Sequence, residues 1–254
     1  MDARRDEHAV RDYYDAWSAR YLESFGDIFQ AARADRDDDL IAHVVRAAGI
    51  ADGMRLLDAG CGVCGPSIRI ARLADVTIDA ITISPVQVEL ARKRVAEAGL
   101  TDRITVHLGD FADLAAIFGP ERFDRIIFLE TLCHARQLDD VTHGCGEVLR
   151  PGGQVYVKDF YRKQYNDKAQ RAWCDVVVQR VEEEFRLRVR DISDLIHSMK
   201  RAGLGQTLFE RLGFDVDFSW AEKFATTNQI DVFAGGQPID WGDWYEVAYE
   251  KPRA

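Results

Sequence analysis

Leu56 to Ser67 read LLDAGCGVCGPS. An apolar run stops at Asp58, three glycines follow, and a helix-forming run, GPSIRIARLA, starts at Gly65. A strand that turns through glycines into a helix brings backbone and helix N–H groups close to a ligand. Gly60, Gly62 and Gly65 satisfy the G-x-G-x-x-G spacing of a dinucleotide site, but that pattern alone is weak. Asp58 shifts the balance. A carboxylate two residues before the first glycine repels a pyrophosphate and suits a positively charged ligand, such as an amino group or a sulfonium. Cys61 and Cys64 share the turn. With no second cysteine pair and no nearby histidine to complete a zinc set, Cys61 reads as a small residue filling the bend. A metal or redox pair is the alternative.

Apolar and amphipathic runs alternate on both sides of this turn. MRLLDAG, VTIDAITIS, ITVHLGD, FDRIIFLET and GQVYVKDF read as strands. GPSIRIARLA, SPVQVELARKRVAEAG, DLAAIFG and LDDVTHGCGEVLRPGG lie between them and read as helical. Such alternation predicts a parallel sheet covered on both faces. The helix from Pro85 to Ala98 is the best marked: Ser84 caps it, Gln87 completes a capping box and Gly99 ends it. Beyond residue 160, YNDKAQRAWCDVVVQRVEEEF and DISDLIHSMKRAG read as helices. GFDVDFSWAEKF and WYEVAYEKP read as two strands of an antiparallel hairpin at the sheet edge.

Before the turn, residues 6 to 48 read as helical. Tyr14, Trp17, Tyr21, Phe25 and Phe29 recur at steps of three or four, which lines them along one helix face, with Tyr13 beside them. Packing on a core explains such a stripe. Aromatic faces also attract cations.

The chain has 254 residues, of which 47% are hydrophobic and 30% charged, enough for a sizeable core. The net charge of −10, with no long Lys/Arg cluster, argues against nucleic acid as a partner. No apolar run is long enough to span a membrane. The five cysteines, with no apolar N-terminal leader, fit a reducing cytoplasm and free thiols.

LLDAGCGVCGPS resembles the first motif of class I S-adenosylmethionine (SAM)-dependent methyltransferases. ITIS, GDF, FLE and LRPGG follow in the order that family shows, over residues 54 to 160. The resemblance implies a Rossmann-like α/β fold. Its seven-stranded sheet is mostly parallel with an antiparallel last strand, has helices on both faces and carries an N-terminal helical lid. It divides the chain into a lid over 1–50 and a SAM-binding domain over 51–254, with a helical insertion at about 162–205. ITIS-PVQ and YYDAWSARYLESFGDIFQAARAD resemble the subgroup that methylates sterols, tocopherols and prenyl diphosphates on carbon. Phe25 replaces the usual Trp there, and Gln30 the usual His.

The resemblance places the methionine end of SAM over Asp58, Gly60, Cys61 and Gly62. Gly109, Asp110 and Phe111 fall at the adenine, although Asp110 also reads as an N-cap. Thr82 stands where an acid usually holds the ribose. Asp79 lies three residues upstream, about 10 Å along a strand, so Thr82, the Ile83 backbone and Gln87 are the candidates. Gln87 either binds or only completes its cap. Leu129 and Glu130 complete the cofactor set.

For chemistry, the subgroup assigns the acid matching Glu130 to cation stabilisation or proton removal. A cofactor or cap contact is the alternative. Tyr14, Tyr21 and Phe25 would add cation–π attraction, with Tyr21 counted among the catalytic residues. His134 is a proton acceptor, a substrate contact or a structural histidine. The implied acceptor is a small isoprenoid such as isopentenyl or geranyl diphosphate. Lys158, Tyr161, Arg162, Lys163 and Tyr165 would meet the diphosphate, or form a solvated face. Mg²⁺ would enter only with a diphosphate, since no dedicated metal cage is visible. Arg186, Arg188 and Arg190 read as a solvated run. An O- or N-methyltransferase with His134 as base is the alternative activity. A non-catalytic SAM-binding subunit and an NAD(P) oxidoreductase are the other rivals. A homo-oligomer is left open.

Overall fold

The computed structural model describes residues 3–213, 225–233 and 235–253. Seven strands form one sheet: β1 (Arg55–Ala59), β2 (Thr77–Thr82), β3 (Ile104–Leu108), β4 (Phe123–Leu129), β5 (Leu149–Arg162), β6 (Gly205–Arg211) and β7 (Gly242–Glu250). Their order is β3-β2-β1-β4-β5-β7-β6. β1 to β5 pair in parallel, and β7 runs antiparallel to both β5 and β6. This is the expected mostly parallel sheet with its last strand reversed.

The central strands are apolar on both faces because both faces are covered. Leu56, Ile127 and Tyr156 join one core cluster, and their neighbours Leu57, Ile126 and Val157 join the other. That is the period-two alternation of a pleated strand. Helices α2 (Asp37–Ala47), α3 (Gly65–Leu73) and α4 (Pro85–Glu97) supply buried residues to the first cluster. Helices α5 (Leu114–Phe118), α6 (Leu138–Val148) and α8 (Ile192–Arg201) supply the second. Helices α1 (Ala3–Phe25) and α7 (Lys168–Phe185) pack in two smaller clusters beside these.

Ser84 caps α4 as expected, its hydroxyl accepting from the Gln87 N–H at 3.1 Å. The antiparallel partner of β7 at the edge is β6, with Leu208 opposite Ala248 and Phe209 opposite Val247. β6 escaped the sequence analysis because its side chains are nearly all exposed, so no alternation marks it. Of the expected strand GFDVDFSWAEKF, residues 214–224 lie outside the described residues.

β1 sits between β2 and β4, so successive crossovers leave it in opposite directions. A crevice opens at the carboxyl ends of the strands at such a switch point. The glycine turn lies there.

Candidate active site

One cavity of about 680 Å³ opens at this edge. Asp58, Gly60, Cys61 and Gly62 line it from β1, and Thr82, Ile83 and Gln87 from β2 and the start of α4. Asp110 and Phe111 follow β3, and Leu129, Glu130 and His134 follow β4. Tyr14 of α1, Phe29 and Gln30 of the next loop, and Arg186 at the end of α7 close the other side.

The turn is shaped by what crosses it. Gly60 has φ +94°, and a Cβ there would stand 2.6 Å from Cβ of Thr131, whose hydroxyl donates to the Ala59 carbonyl at 2.7 Å. At Gly65 a Cβ would stand 1.9 Å from the Asp27 carbonyl oxygen. The α1–α2 loop therefore crosses directly over the start of α3, and Gly65 is small for that crossing. The Asp27 carboxylate locks the crossing by accepting from Arg69 at 2.7 and 2.8 Å and from Arg94.

Asp58 is 2% exposed, accepts from the Ser67 hydroxyl at 2.5 Å and is pushed up to about 6 by burial. A buried carboxylate penalised for its charge is complementary to a cation. Cys61 and Cys64 are buried free thiols. Among the described residues no group of three or more His, Cys, Asp or Glu could hold a metal ion. The Thr82 hydroxyl donates to Oε1 of Gln87 at 2.6 Å, so the Gln87 side chain turns to Thr82 while Ser84 supplies the helix cap. Asp110 caps the short turn that follows it, accepting from the Ala112 N–H at 2.8 Å. Asp79 lies away from the cavity, buried against Arg55, His107 and Arg122, and is held down to about 2 despite its burial.

Tyr14 donates to Nε2 of His134 at 2.7 Å, and Nδ1 of His134 lies 3.1 Å from the Arg186 carbonyl. A carbonyl only accepts, so Nδ1 carries the proton and Nε2 presents a lone pair to Tyr14. Burial pushes His134 down to about 4 and raises Tyr14 well above an ordinary phenol. The pair is neutral at physiological pH.

Glu130 is differently placed from the expectation of a carboxylate facing a cation. Its backbone has φ +57°, an uncommon conformation for a residue with a Cβ. Its oxygens accept from the Ala31 N–H, from the Ala32 N–H at 3.0 Å and from Nζ of Lys158 at 2.5 Å. Three donors thus converge on it, and it ties the α1–α2 loop to the sheet.

Eight expected residues do not line the cavity. Gly109 sits one residue behind Asp110, its backbone N–H bonded to the Thr82 carbonyl at 3.0 Å. Tyr21 stacks on Phe25 at 5.0 Å, and its hydroxyl meets that of Tyr13 at 2.9 Å, within an aromatic cluster that includes Trp17 and Phe185. The α1 stripe is thus largely core. Tyr161 points into the second core cluster. Arg162 pairs with Asp175, and Tyr165 donates to the Asp240 carbonyl at 2.6 Å. Lys163 pairs with Asp240, and Lys158 is wholly buried, so this basic run does not gather at the cavity. The second run does not form one solvated face: Arg186 and Arg188 line the cavity, and Arg190 donates to the Ala135 carbonyl. The sequence analysis missed Gln30, Thr131 and the Lys158 pairing. Gln30 replacing the usual His was the one signal available.

The sheet order, the reversed strand and the glycine turn define the class I methyltransferase fold. Residues 9–217 match the mycolic acid cyclopropane synthetase family, and the chain belongs to it. A sterol 24-C-methyltransferase of Aspergillus fumigatus is 27% identical over 224 residues, 84% of this chain and 56% of that protein. Methyltransferase GfsG of Streptomyces halstedii is 32% identical over 126 residues, 50% of this chain and 45% of that one. The chain thus spans about half the length of these curated relatives. Among solved structures, the [4+2]-cyclase SpnF superposes with a TM-score of 0.80 at 20% identity, covering 96% of each chain. The geranyl diphosphate C-methyltransferase of Streptomyces coelicolor A3(2) superposes at 0.73 with 14% identity, covering 99% of each.

Proposed function

We propose that the protein is a SAM-dependent C-methyltransferase that methylates an alkene carbon of an isoprenoid or sterol-like acceptor. The observation that carries this is a cavity that joins a buried acid beside a glycine turn to a neutral Tyr14–His134 pair. The residues fit the donor. Asp58, Gly60 and Gly62 would take its cationic methionine end, Thr82 and Gln87 its ribose, and Asp110 with Phe111 its adenine. When bound, SAM supplies a methyl group on a positively charged sulfur.

The chain's own residues then have three tasks. Tyr14 and Phe29 face a cation forming on the acceptor with electron-rich rings. The α1–α2 loop, clamped at Asp27 and Glu130, keeps water from that cation. His134 accepts, through Tyr14, the proton that the methylated acceptor loses. A base of low pKa suffices because a carbon next to a cationic centre is strongly acidic.

The acceptor chain meets apolar and aromatic surface. Lys158, Arg162 and Lys163, the cations first offered to a diphosphate, are each paired with an acid. Isopentenyl or geranyl diphosphate would instead meet Arg186 and Arg188 at the mouth. The His134 lone pair also favours a second reading, in which it deprotonates a hydroxyl or amine for O- or N-methylation.

Incubation with methyl-labelled SAM and a panel of prenyl diphosphates, sterols and phenols, with the methyl located by NMR, tests both. Label on a former alkene carbon is expected. Label only on oxygen or nitrogen selects the second reading, and no SAM binding at millimolar concentration overturns both.

A further inference from the structure

Gln30 lies in the loop that crosses the glycine turn. The ring of its neighbour Phe29 stands 3.5 Å from where a Cβ on Gly62 would be. Gln30 itself is 2% exposed and lines the cavity. Its Oε1 accepts from Nζ of Lys158 at 2.9 Å. An ammonium only donates, so the amide oxygen must face Lys158 and the NH2 must face elsewhere. Lys158 is fixed in turn by Glu130, and Glu130 by the backbone of Ala31 and Ala32, the two residues after Gln30. The ring closes on the loop from which it started, which leaves the amide little freedom to turn.

One atom is left over. Nε2 of Gln30 is buried and has no hydrogen-bond partner among the described residues. Buried donors without acceptors are rare in native proteins. This one belongs to a residue that walls a ligand cavity, beside the turn that would hold the amino-acid end of the methyl donor.

We propose that Gln30 is a cofactor-binding residue whose Nε2 donates a hydrogen bond to the α-carboxylate of the bound donor, with Lys158 and Glu130 as its positioning residues. The inference rests on the SAM reading and extends it to a residue outside the glycine motif. It pairs the two charges of the amino-acid end with different elements: the ammonium with the carboxyl edge of β1, the carboxylate with the crossing loop.

Two ligands separate this role from a structural one. S-adenosylhomocysteine carries the carboxylate, whereas 5′-methylthioadenosine lacks the whole amino-acid end. Calorimetry with both is run on the wild type, on Gln30→Met and on Gln30→Glu. The second variant keeps an acceptor for Lys158 but turns the donor into an acceptor, and thermal melts without ligand check folding. Gln30→Met is expected to weaken S-adenosylhomocysteine about tenfold to a hundredfold, the range for a hydrogen bond to a charged group. Gln30→Glu should weaken it at least as much. Binding of 5′-methylthioadenosine should stay within about twofold in both. The proposal is overturned if both ligands weaken by one common factor, or if neither changes by more than about threefold. A wild-type protein that binds neither ligand overturns the SAM reading itself, an outcome distinct from wild-type binding that the variants leave unchanged.

Discussion

Replacing Glu130 by Gln discriminates between a carboxylate that faces the reacting centre and one that holds the loop. The side chains of Glu130 and Lys158 are 4% and 0% exposed. Removing one partner of such a buried pair leaves the other charge uncompensated, at a cost of about 3–5 kcal/mol. Gln adds a second fault. Its one amide oxygen can serve Lys158 and the Ala32 N–H, which share one carboxylate oxygen, but its NH2 then faces the Ala31 N–H, donor against donor. For a chain of this length each kcal/mol moves Tm by roughly 2 °C, so differential scanning calorimetry should show a fall of about 6–10 °C. Affinity for S-adenosylhomocysteine should fall with it, because the loop carrying Phe29 and Gln30 is no longer anchored. Adding Lys158→Met to Glu130→Gln removes the stranded charge and should recover at least half of the lost stability. An unchanged Tm and unchanged affinity with turnover abolished would refute this reasoning and return Glu130 to cation stabilisation.

Further outcomes follow from the geometry. Burial holds His134 down to about 4, so the base form persists as pH rises, and kcat should stay level from about pH 5.5 to 8 and fall only as pH drops toward 4. His134→Asn should lower kcat about 10²- to 10⁴-fold with donor affinity kept, as single-turnover rates and calorimetry would show. Asp159 is 1% exposed, accepts from the Cys133 and Phe160 N–H groups, and is pushed up to about 7 by burial and the nearby Glu130 charge. Its contribution to stability is present below the ordinary carboxylate pKa and is lost as pH rises through 7. Wild-type Tm should therefore decline between pH 4 and 7 relative to Asp159→Asn, whose difference from wild type would otherwise be a constant offset. Gly65→Ala should lower Tm by several degrees and weaken donor binding, because its Cβ would occupy the Asp27 carbonyl. Gly99→Ala, where nothing lies within 4 Å, should cost only about 1 kcal/mol through its positive φ.

The sequence was most legible where the signal is periodic and local. Strand–helix alternation placed β1 to β5, and Ser84 with Pro85 placed the start of α4. The glycine turn and the strand ends after Thr82, Leu108 and Leu129 marked one edge of the sheet, since every parallel strand must end there. β6 was illegible because an exposed edge strand carries no alternation. The aromatic stripe of α1 was legible as a stripe, but its destination was not. Tyr21 and Phe25 turn toward Phe185 of α7, and only Tyr14 of that helix's aromatics reaches the cavity.

By itself, the sequence determined the fold class, the edge of the sheet that holds the cavity and the run of residues along that edge. These depend on backbone propensity and on burial pattern within single elements. Tertiary structure alone decided which side chains meet. Lys158 and Gln30 are 128 residues apart, and Glu130 lies 99 residues from Ala31. Along β5 the pleat sends Lys158 to one face and Tyr161 to the other, and the last turn of the strand carries Arg162 past the cavity to Asp175. Whether a charged side chain serves a ligand or the fold is set by the partner that burial forces on it, and that partner comes from distant chain.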